Sequence, residues 1–246
     1  MLTLYLKEIR SFLSSLIGYI AIGVFISLVG IFMWIIPSES GGSNVLDNGF
    51  ANIDPLFFIA PWVYLFLIPA ITMRSFSEEK KTGTIELLLT RPLTDLQLVL
   101  AKYFAGVTLL IIAIIPTFVY YISMYNLGNP VGIIDTGATL TSYLGLILLG
   151  STFVAIGIFA SSITNSQIVA FILGMFLCWI FYDGLNLIGS FNQMGSFDSV
   201  IQYCGMTYHF DSIKRGVVDT SDLVYFISII FLFIYSALTV IKTLKK

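Results

Sequence analysis

Long apolar runs separated by short polar stretches set the pattern of this chain. The runs lie at about 12–36, 55–73, 103–125, 139–161, 168–188 and 222–241. Each is close to the roughly 20 residues an α-helix needs to cross a bilayer. The alternating segments of about 10 residues that mark a β-barrel are missing. The fold class expected is therefore all-α: a polytopic membrane protein with six transmembrane helices in one domain, 1–246.

The polar stretches predict shorter elements. Leu2, Leu6, Ile9 and Leu13 recur at helical spacing, with Lys7, Glu8 and Arg10 assigned to the other side. This predicts an amphipathic N-terminal helix lying at the membrane interface. The first apolar run is too long for a cleavable signal peptide and lacks a small-residue cleavage site, so it is expected to stay as an anchor. In the polar loop 74–102, Gly83 is a helix stop and Thr84 an N-cap for a short helix over 85–89. Pro92 ends that helix, and Thr94 with Gln97 forms the capping box of the next. Ser151 with Ala155, and Gly157 with Ser161, predict tight helix packing in the fourth span.

Composition strengthens the membrane reading and narrows the function. Hydrophobic residues make up 57% of the chain and charged ones 11%, against about 25% charged in an average soluble domain. A net charge of -2 argues against nucleic acid as a partner. The basic residues divide unevenly. Lys7, Arg10, Arg74, Lys80, Lys81, Arg91, Lys102, Lys242, Lys245 and Lys246 fall on one side of the predicted topology, and only Lys214 and Arg215 on the other. The positive-inside rule then predicts that both termini and the loop 74–102 are cytoplasmic. Glu39, Asp47, Asp54, Asp135, Asp198, Asp211 and Asp219 fall on the outer side.

The candidate chemistry is sparse. The span cores carry no ionisable residue except Asp183, near the outer end of span five, which is expected to reach the interface. Ion-coupled transport normally needs more intramembrane charge than this. No Gly-x-x-x-x-Gly-Lys-Ser/Thr string is present to cradle a nucleotide phosphate. Cys178 and Cys204 are expected to be unpaired. His209 and Asp211 lie in the outer segment 189–221, but a lone histidine without further ligands is a weak metal or catalytic signal. Interface and capping roles fit them better, and Tyr203, Tyr208 and Phe210 suit an interfacial aromatic belt. An integral membrane enzyme is disfavoured for want of paired polar catalysts.

The loop string Glu79, Gly83-Thr84-Ile85-Glu86-Leu87-Leu88, Pro92 and Lys102 resembles the inner loop of type-2 ABC transporter permeases. Lys7-Glu8-Ile9-Arg10-Ser11-Phe12 and Ser161-Ser162-Ile163-Thr164-Asn165-Ser166-Gln167 resemble the gliding-motility permeases of the GldF kind, which often carry Pro where Leu16 stands here.

The resemblance implies a permease subunit of an ATP-driven exporter in the bacterial inner (cytoplasmic) membrane. ATP and Mg would be handled by a separate ABC ATPase subunit, and no cofactor would be bound by this chain. A second permease subunit would complete the transmembrane dimer. The loop between spans two and three would be the coupling helix, with Glu78, Glu79, Gly83, Thr84, Glu86, Leu87, Leu88, Arg91 and Pro92 as its coupling residues. Thr164, Asn165 and Ser166 would form a second inner contact. The segment 189–221 would fold as short re-entrant helices. The alternative is a membrane scaffold of a motility or secretion machine without transport. The substrate is not readable from the sequence.

Overall fold

The computed structural model describes residues 1–37, 44–47, 51–89, 94–190 and 196–243. Of the expected coupling residues, Arg91 and Pro92 lie outside the described residues, as do the side chains of Leu87 and Leu88. Among the described residues the structure is all-α.

Five helical stretches are long and apolar enough to span a membrane: Asp54–Lys81, Asp95–Leu127, Thr136–Ile163, Gln167–Ser190 and Thr220–Thr243. A sixth arises if the bent pair at the N-terminus is taken as one span, its two parts meeting at 66°. The chain is thus a multi-pass membrane protein.

The N-terminal bend has a local cause. Helix α1 (Leu2–Leu13) ends at Ser14, and α2 (Leu16–Trp34) starts from Ser15 as N-cap. The Ser15 hydroxyl accepts from the Gly18 amide at 3.1 Å and donates to the Phe12 carbonyl at 2.7 Å. One side chain thereby closes both helix ends, satisfying backbone groups that a broken helix leaves free.

The face of α1 differs from the expected one. Of the expected stripe, Ile9 and Leu13 pack on the core while Leu2 and Leu6 are exposed, and Leu4, Tyr5 and Phe12 also pack inward. The Tyr5 hydroxyl lies 2.8 Å from that of Thr108. Glu8, assigned to the outward polar side, instead turns toward the protein. The helix is therefore apolar on two sides, and the Leu2/Leu6 stripe is left for the surroundings.

The expected end of the second span coincides with a break in the helix. Helix α3 (Asp54–Thr72) passes through one loosened residue, Met73, into α4 (Arg74–Lys81). Helix α8 (Thr136–Ile163) fills the break. The Ser161 hydroxyl accepts from the amides of Phe76 at 2.9 Å and Ser77 at 3.1 Å and donates to the Met73 carbonyl at 3.0 Å. A side chain inserted into the helical ladder is an established cause of such breaks.

Gly83 then stops α4 with φ +71°, and α5 (Thr84–Leu89) follows. A Cβ at this φ would add strain that glycine avoids. The Thr94–Gln97 capping box opens α6 (Asp95–Ile114) as expected. Pro116 interrupts the third span with a 3₁₀ turn, Ile115–Thr117, before α7 (Phe118–Leu127).

Helix α8 is the axis of the bundle, contacting α3, α4, α6, α9 (Gln167–Trp179), α12 (Met206–Lys214) and α13 (Thr220–Thr243). Its small residues explain how. A Cβ on Gly157 would sit 2.0 Å from the Thr72 hydroxyl, so only glycine allows α3 this close. Helices α9 and α13 are mostly unburied by comparison, and their apolar outer faces are suited to lipid or a partner subunit.

Asp183 lies in a π-helical turn, Ile180–Gly184, that joins α9 to α10 (Leu185–Ser190). The Thr207 hydroxyl donates to the Tyr182 carbonyl there at 2.5 Å. Beyond it the chain forms α11 (Ser196–Tyr203) and α12, two of the short helices expected in 189–221.

Candidate functional site

The polar end of the bundle, where α1, α4 and the start of α6 meet, is organised by one lysine. Lys102 stands in the first half of α6 with a side chain only 1% exposed. Its ammonium donates to Glu79 Oε1 at 2.9 Å, Glu8 Oε1 at 3.1 Å and the Ser75 carbonyl at 2.5 Å. It also lies 4.9 Å from the centre of the Phe76 ring. All three N–H donors are used, which is what a buried ammonium requires.

Lys7 closes the cluster from α1, 3.3 Å from Glu8 and 3.6 Å from Glu79. Burial alone would lower the Lys7 pKa, but the charges of Glu8 and Glu79 outweigh it and the net shift is upward. Two lysines and two carboxylates from α1, α4 and α6 thus balance one another.

Of the expected coupling residues, Glu79 belongs to this interior network and is itself buried. Glu78, Gly83, Thr84 and Glu86 are exposed, and Ile85 is buried beneath them. The α4–α5 turn is stiffened by Thr82, whose amide donates to the Glu78 carbonyl at 2.9 Å and whose hydroxyl lies 2.9 Å from that of Thr84. Ile85 anchors α5 while Glu86 faces outward.

The second expected contact lies beside the first. Thr164 caps the turn between α8 and α9 by accepting from the Ser166 amide at 3.1 Å. Asn165 and Ser166 are exposed. Lys80 donates to the Ser162 carbonyl across the junction. Lys81 and the turn 163–168 together line an open depression of 670 Å³. Two segments some eighty residues apart in sequence thus form one continuous surface.

The histidine at the opposite end does not pair with Asp211. His209 Nδ1 lies 2.7 Å from Asp222 Oδ1, and Nε2 lies 2.9 Å from the Tyr203 carbonyl. Each ring nitrogen thus meets an oxygen within hydrogen-bond distance. The imidazole also stacks on Tyr225 at 3.9 Å. These contacts tie α12 to α13 and α11. Asp211 is exposed, and partial desolvation raises its carboxyl above the usual range although Lys214 and Arg215 oppose the shift.

Among the described residues no three His, Cys, Asp or Glu side chains converge at metal-binding spacing.

Sequence reasoning missed the partners in both clusters. Glu8, Ser161 and Asp222 join through space residues that lie 94, 85 and 13 positions away. The readable signal was a lysine set just inside an apolar window, since a charge there needs a counter-charge.

A bundle of apolar helices around one buried axis, with a charged loop surface at one end, defines a polytopic helical membrane protein. The chain belongs to the ABC-2 transporter family: residues 37–241 match the family described as "ABC-2 family transporter protein". It is a membrane permease of an ABC transporter, a kind of subunit that is generally not itself catalytic and that implies an ABC ATPase partner. No curated protein matches the chain. Helices α1 and α2 both precede the matched region.

Proposed function

We propose that this single permease domain receives work from a separate ABC ATPase through the surface formed by α5 and the α8–α9 turn. The observation that supports this reading is the shared depression between Lys81 and residues 163–168, which joins the two segments expected to meet the ATPase. Glu78, Gly83, Thr84 and Glu86 supply the α4–α5 part of the surface, Thr164, Asn165 and Ser166 supply another, and Leu87, Leu88, Arg91 and Pro92 are assigned to the same coupling role by the resemblance. Glu79 acts from inside, through Lys102.

In this reading, movement of α5 pivots at Gly83 and passes along α4. Lys102 hands it to α6 and α1, and Ser161 hands it to α8. Transmission of this kind needs stiff contacts, and the hydrogen bonds at Lys102 and Ser161 meet that need. ATP and Mg stay with the ATPase. A second permease subunit, identical or related, covers the apolar faces that α9 and α13 leave open. The basic end lies in the cytoplasm with both termini, in the bacterial inner membrane, because ten of the twelve basic residues fall there. The strings at 7–12 and 161–167 favour an exporter of the gliding-motility branch.

The test is co-expression with candidate ABC ATPase subunits from the same genome. Wild-type chain should retain the ATPase through purification, and Glu86→Arg should reduce the retained fraction at least about tenfold, equivalent to roughly 1.4 kcal/mol. The reading fails if no ABC ATPase is retained, or if the charge reversal changes nothing.

A further inference from the structure

Beneath α1, a chamber of 390 Å³ opens between that helix, the α3–α4 break and α6. Six charged side chains line it: Lys7, Glu8, Arg74, Glu78, Glu79 and Lys102. Four of these neutralise one another in the lysine–glutamate network. The other two are spare. Among the described residues, the Arg74 guanidinium and the Glu78 carboxylate make no ion pair and no hydrogen bond, and Arg74 Nε is buried without a partner. They stand four residues apart on one face of α4, with the cation first, the less favourable order for pairing along a helix.

The chamber therefore offers one free positive and one free negative group. A simple anion entering it would meet three glutamates, and a simple cation would meet two lysines and an arginine. A molecule carrying both charges matches the spare pair.

The far wall of the chamber is apolar, formed by Phe12, Ala70, Ile71 and Leu109. Ala70 also borders a second hollow, an apolar groove of 560 Å³ between α2 and α3 with Phe171 of α9 at its side. The groove follows α2 from Ala21 to Phe32, a rise of about 17 Å. Polar chamber and apolar groove thus meet at one residue and together have the outline of a head and a tail.

We propose that these joined hollows bind a zwitterionic glycerophospholipid. Its phosphate lies on Arg74, its ammonium lies on Glu78, and one acyl chain follows the α2–α3 groove. The guanidinium is suited to phosphate by its forked donors. The lipid would fill the angle between α1 and the bundle, seating α1 against α4 and α6. This inference goes beyond transport and does not depend on the ATPase reading or on the cargo.

The experiment is native mass spectrometry of the full chain, stripped of lipid in detergent and then offered dioleoyl-phosphatidylethanolamine, dioleoyl-phosphatidylglycerol or glycerophosphoethanolamine. The ethanolamine lipid should be retained about tenfold better than the other two. Arg74→Gln should lower retention of both lipids. Glu78→Gln should erase the preference for the ethanolamine lipid while leaving the glycerol lipid bound. Ala70→Trp, placed where the hollows meet, should lower ethanolamine-lipid retention, with helical content by circular dichroism as the check on folding. If Arg74→Gln does not fold, Arg74→Lys should bind with a preference unchanged in sign. The proposal is overturned if wild type retains the two lipids equally, if the preference survives Glu78→Gln, or if the chain-free headgroup is retained as well as the lipid.

Discussion

Glu79 and Lys102 meet at 2.9 Å in the interior, although one lies in a charged loop helix and the other begins an apolar span. Removing one partner of a buried pair leaves the other charge uncompensated, at about 3–5 kcal/mol. Lys102→Met should therefore lower thermal stability, toward the lower end of that range, since it leaves the more exposed Lys7 alone against Glu8 and Glu79. The double change Lys102→Met with Glu79→Leu should recover part of the loss. Detergent-solubilised unfolding curves check both.

Ser161 does the work of a backbone group for α4. Ser161→Ala leaves the amides of Phe76 and Ser77 without their acceptor, at a penalty of about 1–3 kcal/mol for the buried donors. The local signature is more telling than the global one. Hydrogen exchange at those two amides should accelerate, while exchange in α13 stays as in wild type.

His209 and Asp222 should behave as a unit. His209→Phe keeps the ring stacked on Tyr225 but buries the Asp222 carboxylate alone, so it should destabilise by more than about 2 kcal/mol. Asp222→Asn should be milder, because an amide donor can still meet Nδ1. The double variant should lie closer to wild type than His209→Phe does. A double-mutant cycle in thermal unfolding measures the coupling.

Asp211 gives a pH dependence of defined sign. Its folded carboxyl titrates above its ordinary value because partial desolvation disfavours the charge. A carboxyl raised in this way favours the folded state below the ordinary value of 3.8 and loses that contribution as pH rises through the raised folded value. At neutral pH, ionised Asp211 is thus a burden. Asp211→Asn should raise the melting temperature at pH 7, and the gain should shrink toward zero below about pH 4. Melting curves at several pH values decide the point, and a gain that grows on acidification contradicts it.

Much of this architecture was legible in the sequence because bilayer length and helix caps are local properties. The Thr94–Gln97 capping box, the stop at Gly83 and the close packing at Gly157 follow from a few adjacent residues. At Arg74 the chain continues as α4, and the Ser161 hydroxyl that α8 inserts at the break could not be read from the sequence. The N-terminal helix misled because it is apolar on two sides, and periodicity cannot say which side meets protein. Glu79 read as a surface carboxylate because its counter-charge lies 23 residues away. In the candidate site, adjacency of Lys81 at the end of α4 to Thr164–Ser166 is a product of tertiary packing alone.

The central place of α8 also orders events in time. It is made fourth among the spans, yet α9, α12 and α13, all of which flank it, are synthesised afterwards. When α8 leaves the ribosome, the sides that will meet α9, α12 and α13 have no protein to meet, although the Gly157 side can already close on Thr72 of α3. Only when α13 arrives is that surface closed. Assembly of the bundle is therefore a late step in the life of the nascent chain, and an interruption of synthesis before residue 220 should leave a permease that is inserted but unfinished.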